Sequence, residues 1–144
     1  MAKETLDEII SKLREVGEFL SEAINVLETS KKLKFFDALF GGFFVGVGAA
    51  TLPARYRKAL IYVLKAQESL NNMFKLLEEV SEETYNMVLS ALQEIRNLDL
   101  NQIMLILSKE WPENEIIQQI GNKIQIIENT IKNLEKTNLK NDQF

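Results

Sequence analysis

A cluster of acidic residues has the residue types and the spacing that could bind a metal ion. Glu78, Glu79, Glu82 and Glu83 place four carboxylates within six residues, and carboxylate oxygens are the ligands that Mg²⁺ and Ca²⁺ prefer. The cluster lacks the alternating ligands and the glycine of a calcium-binding loop. A helix start followed by a solvated helix face explains the cluster, and we therefore expect no metal site there.

The absence of histidine and cysteine excludes most other chemistry. Without them the chain cannot form a Ser-His-Asp or Cys-His catalytic site, a zinc site of the usual ligands, or a di-iron site that needs Glu-x-x-His. Only carboxylates, lysines, hydroxyl groups and tyrosines remain. We expect a protein that is not an enzyme, has no catalytic residues and binds neither a cofactor nor a small-molecule substrate.

One glycine-rich stretch approximates a nucleotide-binding motif. Gly46-Val-Gly48-Ala-Ala-Thr51 resembles Gly-x-Gly-x-x-Gly in spacing but lacks the third glycine. Glu68 follows at the distance of the ribose-binding acid, yet the pattern around it is helical, and no second strand carries it to a ribose. A Gly-x-x-x-x-Gly-Lys-Ser/Thr loop is also absent. We therefore expect no nucleotide cofactor.

The segment 39–52 is unlike the rest of the chain. It contains four of the six glycines and no charged residue. Its borders are basic, so the window 31–58 has six cations, one acid and a net charge of +5 in a chain whose total is −4. Helix-dipole energetics favour cations at the end of a helix but not at the start of the next one. The cations after the stretch therefore call for another explanation, such as an anionic partner.

Eleven residues in and beside this segment are candidates for an interaction site. The five phenylalanines crowd into ten residues, which leaves a small bundle little interior to bury them, and exposed clusters of this kind mark partner surfaces. Three small residues four apart would form a smooth stripe if the segment is helical. Three cations follow. The candidates are Phe35, Phe36, Phe40, Phe43, Phe44, Gly42, Gly46, Ala50, Arg55, Arg57 and Lys58.

Two functions account for this segment. The first is a non-catalytic helical bundle that acts through contact with a protein partner or with itself, using 35–52 as the contact element. The alternative is a membrane-active protein that inserts the 35–52 hairpin tip into an anionic bilayer. The uncharged run is shorter than the roughly 20 residues of a spanning helix. We do not expect a nucleic-acid partner. The charged N-terminus is not a secretory signal, and we expect a cytoplasmic protein.

The elements that must position these residues are helices. Residues 5–33 and Pro53–Val80 each repeat apolar residues every seven positions, which predicts two long antiparallel helices joined by the glycine-rich connection. Thr5 and Glu8 fit a capping box. The two seams are Leu6, Ile9, Leu13, Val16, Leu20, Ala23 and Leu27 in the first helix, and Tyr56, Ala59, Val63, Ala66, Leu70, Met73, Leu77 and Val80 in the second.

The second half of the chain predicts further helices. Ser81-Glu82-Glu83 is a good helix start, so we expect a bend or break there. A continuous helix is the main alternative, because the apolar pattern continues through Tyr85, Val88, Leu92 and Ile95. Residues 100–111 indicate a short helix closed by Pro112, with Trp111 closing the end of the bundle. Residues 113–138 indicate a last long helix whose seam is Ile117, Ile120, Ile124, Ile127, Ile131 and Leu134. The prediction is an all-α elongated hairpin or four-helix bundle. One domain spans 1–139, and 140–144 form a frayed tail.

Overall fold

The structure of the protein, a computed structural model, describes the backbone of residues 2–39 and 53–142 and the side chains of residues 5–28 and 53–137. Within these residues the chain forms five α-helices and one 3₁₀ helix. They are α1 (Ala2–Leu39), α2 (Ala54–Glu79), α3 (Glu82–Val88), the 3₁₀ helix (Ile95–Asn97), α4 (Asn101–Ser108) and α5 (Glu113–Asp142). The helices pack against one another, which confirms the predicted all-α bundle.

α1 and α2 form an antiparallel pair. Ser69 Oγ donates a hydrogen bond to Glu15 Oε2 at 3.1 Å, and Lys65 Nζ lies 6.0 Å from the centre of the Phe19 ring. From Glu15 to Phe19 the chain advances four residues in α1, while their partners in α2 go back four residues, from Ser69 to Lys65. The two helices therefore run in opposite directions. The predicted antiparallel pairing is confirmed, and the connection at 40–52 lies outside the described residues.

α5 packs against another side of α1, also antiparallel to it. Gly17 of α1 lies beside Ile127 of α5, and Arg14, earlier in α1, pairs with Glu135, later in α5. α2 and α5 are therefore parallel. The segment of α3, the 3₁₀ helix and α4 returns from the end of α2 to the start of α5 and packs against both helices. The architecture is a four-helix bundle in which this third member is broken.

The two predicted heptad seams form the core. All seven seam residues of α1 have no solvent exposure. In α2 the first six are buried, while Leu77 and Val80, where the helix ends, are partly buried against the core. A seven-residue repeat keeps its apolar residues on one helix face, so the hairpin brings the two seams together.

The helix ends confirm some predictions and correct others. α1 begins at Ala2, so Thr5 lies inside the helix and the predicted capping box is wrong. Ala, Lys and Glu are strong helix formers, which is why the helix extends beyond the apolar pattern. The predicted break at Ser81 is confirmed, because Val80 is extended and Ser81 Oγ accepts a hydrogen bond from the Thr84 amide at 3.2 Å.

The connection from α4 to α5 is a tight helix ending. The amide of Glu110 donates to the carbonyl of Leu107, and that of Trp111 donates to the carbonyl of Ile106. This is the Schellman pattern, which places Glu110 at the left-handed position with φ of 54°. α4 therefore ends at Ser108, four residues before Pro112. α5 runs to Asp142, so the backbone of 140–142, predicted as a frayed tail, is helical.

The core-facing side of α5 differs from the prediction. Ile116, which is outside the predicted seam, is fully buried, and Ile120, Ile127 and Leu134 are buried as predicted. The remaining seam residues are only partly buried: Ile117, Ile124 and Ile131. The neighbouring helices do not cover the whole apolar arc of α5. One edge of the predicted seam is therefore partly exposed to solvent.

Candidate interaction site

Eight of the eleven candidate residues lie outside the residues whose side chains the structure describes. They are Phe35, Phe36, Phe40, Phe43, Phe44, Gly42, Gly46 and Ala50. Arg55, Arg57 and Lys58, all in the first two turns of α2, are described. The structure separates these three cations into two environments.

Arg55 points into the bundle. Its Nη1 lies 2.8 Å from Glu113 Oε1, and the two side chains are only 17% and 9% exposed. The guanidinium also lies 5.2 Å from the centre of the Tyr56 ring. Arg55 therefore joins the start of α2 to the start of α5, which is a structural role that the sequence pattern did not indicate.

Tyr56 forms a second link between the same parts of the bundle. Its Oη donates a hydrogen bond to the carbonyl oxygen of Trp111 at 2.9 Å. Burial raises the pKa of the Tyr56 hydroxyl above its ordinary value of 10.0, although the positive charge of Arg55 opposes that rise. Trp111 has 41% of its surface exposed, and its carbonyl oxygen holds this end of the bundle to α2 through Tyr56.

Arg57 and Lys58 are exposed on the outer side of α2. Across the part of the chain whose side chains are described, neither forms an ion pair. Ile61 and Leu64 follow on the same side, one and two turns further along, and are 51% and 50% exposed. We call Arg57, Lys58, Ile61 and Leu64 the α2 stripe.

Ile61 and Leu64 are not among the site residues predicted from the sequence. Both are apolar residues outside the heptad seam of α2, and this position could have indicated an exposed apolar surface. A helix whose apolar residues all face the core would have polar residues there. Lys65, beside the stripe, lies 5.6 Å from the centre of the Tyr62 ring, a distance that suits a cation–π contact. The outer side of α2 thus combines exposed aliphatic side chains with cations.

The acidic cluster lies at the break between α2 and α3. Glu78, Glu79, Glu82 and Glu83 are exposed around the break between α2 and α3. Within the described part of the chain no group of three or more acids is arranged to hold a metal ion. Ser81 caps α3, and Glu82 and Glu83 occupy its first turn, where the helix dipole stabilises acids. The helix-start interpretation is therefore confirmed for Glu82 and Glu83, whereas Glu78 and Glu79 are exposed in the last turn of α2.

An open groove lies between α1 and α5, away from the α2 stripe. Its volume is about 510 Å³, and its lining includes Gly17, Ser21, Ile124, Ile127 and Ile131. The half-buried edge of the α5 seam forms one of its walls. Charged residues from both helices surround the apolar lining.

Comparisons with known proteins add no assignment to these surfaces. No protein-family model matches the chain, and neither a curated protein nor a solved structure shows significant similarity to it. Among the helices of the described residues, none combines the length and the apolar character needed to cross a membrane.

Proposed function

We propose that this protein is a non-catalytic helical bundle that acts in the cytoplasm through protein–protein contact. The contact surface consists of residues 35–52 and the α2 stripe that follows them along the chain. The observation that carries the proposal is the exposure of Ile61 and Leu64, each about half open to solvent, beside two cations without ion pairs among the described side chains.

Burial of the stripe would contribute to binding. Full burial of an isoleucine or leucine side chain is worth about 1.5–3 kcal/mol, so covering the exposed half of each would contribute roughly 1 kcal/mol. The five phenylalanines expected beside the stripe would supply larger apolar area. Interface cores that are apolar and rimmed by charge are typical of protein contacts.

The charges of the stripe indicate the partner's chemistry. Arg57 and Lys58 carry positive charge on a protein whose net charge is −4. A partner with acidic residues around an apolar patch would complement this surface and avoid the negative charge elsewhere. The ion pair between Arg55 and Glu113 fixes the start of α2, and it therefore helps to hold the α2 stripe in position.

The alternative function is binding to an anionic bilayer. The observation that favours it is the same combination of Arg57, Lys58 and Lys65 with exposed aliphatic residues on one side of α2. Cations near an anionic surface contribute about 1 kcal/mol each. In this alternative the 35–52 segment inserts and the α2 stripe lies on the headgroups.

Photo-crosslinking inside cells tests the protein-contact proposal. A photoreactive residue at position 61 should form a discrete adduct with one protein, and the adduct should disappear in an Arg57→Glu/Lys58→Glu background. Position 105 is the matched control, because Leu105 is also 51% exposed but lies on α4. Equal labelling from both positions would contradict the proposal.

Sedimentation with vesicles separates the alternative. The wild type should remain in solution with vesicles that contain phosphatidylglycerol if the contact is with protein. Sedimentation that is lost in Arg57→Gln/Lys58→Gln and at high salt would favour the bilayer, since salt screens such attraction over about 10 Å at 0.1 M. The glutamate and glutamine double variants both change only the exposed Arg57 and Lys58, so the fold should be unaffected.

A further inference from the structure

Four residues on the outer side of α2 are spaced like the seam of a coiled coil. Arg57, Ile61, Leu64 and Glu68 follow one another at intervals of four, three and four residues, and all four are exposed. These intervals keep side chains on one face of a helix, and they are the intervals at which one helix packs along another. We call these four residues the outer seam of α2. It contains three residues of the α2 stripe and extends them by one turn to Glu68.

The order of side chains along the outer seam is complementary to itself. The seam has a cation at one end, two aliphatic residues in the middle and an acid at the other end. A second helix of the same sequence that runs antiparallel therefore presents an acid to the cation and an aliphatic residue to each aliphatic residue. Neither Arg57 nor Glu68 forms an ion pair among the described side chains, so both charges can pair across an interface.

We propose that a second copy of this chain binds along the outer seam of α2, antiparallel to the first and related to it by a two-fold axis. The inference rests on the proposed function, because the contact uses the same surface, and it names the partner. The axis passes midway between Ile61 and Leu64. Ile61 of each copy then lies at the level of Leu64 of the second copy, and Arg57 lies at the level of Glu68. An isologous interface requires this kind of self-complementarity.

Three further cations lie between positions 54 and 71 of α2. Arg55 points into the bundle and is paired there with Glu113. Lys58 and Lys65 lie along one edge of the outer seam, and the two-fold axis brings Lys58 of each copy near Lys65 of the second copy. This contact between like charges is at a solvent-exposed edge, where interactions between charges are weak.

The contacts of Lys65 reduce this repulsion further. Its Nζ lies 6.0 Å from the centre of the Phe19 ring of α1 and 5.6 Å from that of Tyr62. These contacts place the ammonium group on the side of α2 that packs against α1. The pairs between Arg57 and Glu68 lie in the seam itself, next to aliphatic side chains that exclude water and so strengthen the attraction. The interface therefore gains more from its two seam pairs than it loses at its edge.

Charge reversal at two adjacent positions tests this arrangement. In sedimentation velocity experiments, Arg57→Glu should weaken the dimer roughly tenfold, because it turns two symmetry-related attractions into repulsions. Lys58→Glu should instead tighten the dimer by up to about twofold, because it replaces the like-charge contact with Lys65 by an attraction. An acidic protein or an anionic bilayer on this surface would lose affinity with both changes. The two variants therefore distinguish a second copy from those partners.

A charge exchange and a matched control complete the experiment. Arg57→Glu/Glu68→Arg should recover the wild-type dissociation constant, because each seam pair is kept with its signs reversed. Ile61→Ser should weaken the dimer. Leu105→Ser is the control and should leave the dimer unchanged, because Leu105 is equally exposed but lies on α4. All these residues are exposed, so circular dichroism should show an unchanged fold.

A protein that stays monomeric at concentrations up to about 1 mM would overturn the inference. The same applies to a dimer that Arg57→Glu and Lys58→Glu weaken equally, to one that the exchanged variant fails to restore, and to one that is lost in Leu105→Ser. Photo-crosslinking from position 61 separates this failure from failure of the proposed function. An adduct with a different protein would refute the second copy and leave the proposed function standing, whereas equal labelling from positions 61 and 105 would contradict both.

Discussion

Replacing Arg55 by glutamine should destabilise the bundle, although the residue lies among surface cations in the sequence. Its guanidinium pairs with Glu113, and both side chains are largely buried. Arg55→Gln removes the positive charge and keeps a polar, although shorter, side chain. The Glu113 carboxylate then stays buried next to a neutral amide.

The magnitude follows from the burial of the pair. Exposed ion pairs contribute about 0.2–1 kcal/mol, whereas breaking a buried pair by removing one partner costs about 3–5 kcal/mol. Arg55 and Glu113 are 17% and 9% exposed, which places them nearer the second class. Glu113 is also the first residue of α5, where the helix dipole returns roughly 0.3–1 kcal/mol. We therefore expect a loss of about 2–3 kcal/mol in the free energy of unfolding.

Urea unfolding followed by circular dichroism measures this loss. With a denaturant slope of about 2 kcal/mol/M, the midpoint should fall by roughly 1 M in Arg55→Gln while the slope stays constant. Glu113→Gln and the double variant complete a double-mutant cycle, which should give a coupling energy of at least about 1 kcal/mol. Arg57→Gln is the matched control, since it removes the same charge two residues away on the exposed side, and its effect should stay within about 0.5 kcal/mol.

A coupling energy near zero would refute this reasoning. It would mean that Arg55 and Glu113 are each stabilised by other groups and that their proximity has no energetic consequence. An equal loss in Arg55→Gln and Arg57→Gln would refute it differently. That result would place Arg55 in the same solvent-exposed environment as Arg57.

Three further substitutions test the packing, the backbone and the buried hydroxyl. Leu20→Ala should cost about 2–5 kcal/mol in urea unfolding because Leu20 is fully buried, whereas Ile124→Ala, at the open groove, should cost roughly 1 kcal/mol; equal losses would contradict the facing of α5. Glu110→Gly should raise the midpoint of thermal unfolding, gaining up to about 1 kcal/mol, because glycine adopts a φ of 54° without strain. Wild-type stability should fall as pH rises above 10.0 relative to Tyr56→Phe, since the folded state raises the Tyr56 pKa and so resists ionisation that the unfolded chain undergoes; parallel pH profiles would contradict this.

The fold could be predicted because its information is local. Leu6, Leu13, Leu20 and Leu27 recur every seven residues, and a helix with that repeat has one face that must be buried. Ser81 likewise carries its own signal, because a serine cap bonds to an amide within its own helix. These features depend on neighbours a few residues away and need no knowledge of the other helices.

The facing of α5 could not be predicted in the same way. Ile117, Ile120, Ile124 and Ile127 alternate in steps of three and four, which defines an apolar arc without saying which edge meets the bundle. Packing against α1 selects the edge that contains Ile120 and Ile127 and leaves Ile124 at the groove. That choice depends on how many helices surround α5.

The cations at the start of α2 show why charge counts overstate an interaction site. In the sequence, Arg55, Arg57 and Lys58 form one cluster. The helix dipole stabilises none of them, because they lie at the start of a helix. In the structure Arg55 is neutralised by Glu113 from another helix, which leaves Arg57 and Lys58 exposed. An anionic bilayer would then gain about 2 kcal/mol from the pair where three cations would give about 3 kcal/mol. A variant that changes all three cations would lose stability and binding together. Arg57→Gln/Lys58→Gln separates the two effects, because it alters the exposed charge and leaves the buried ion pair intact.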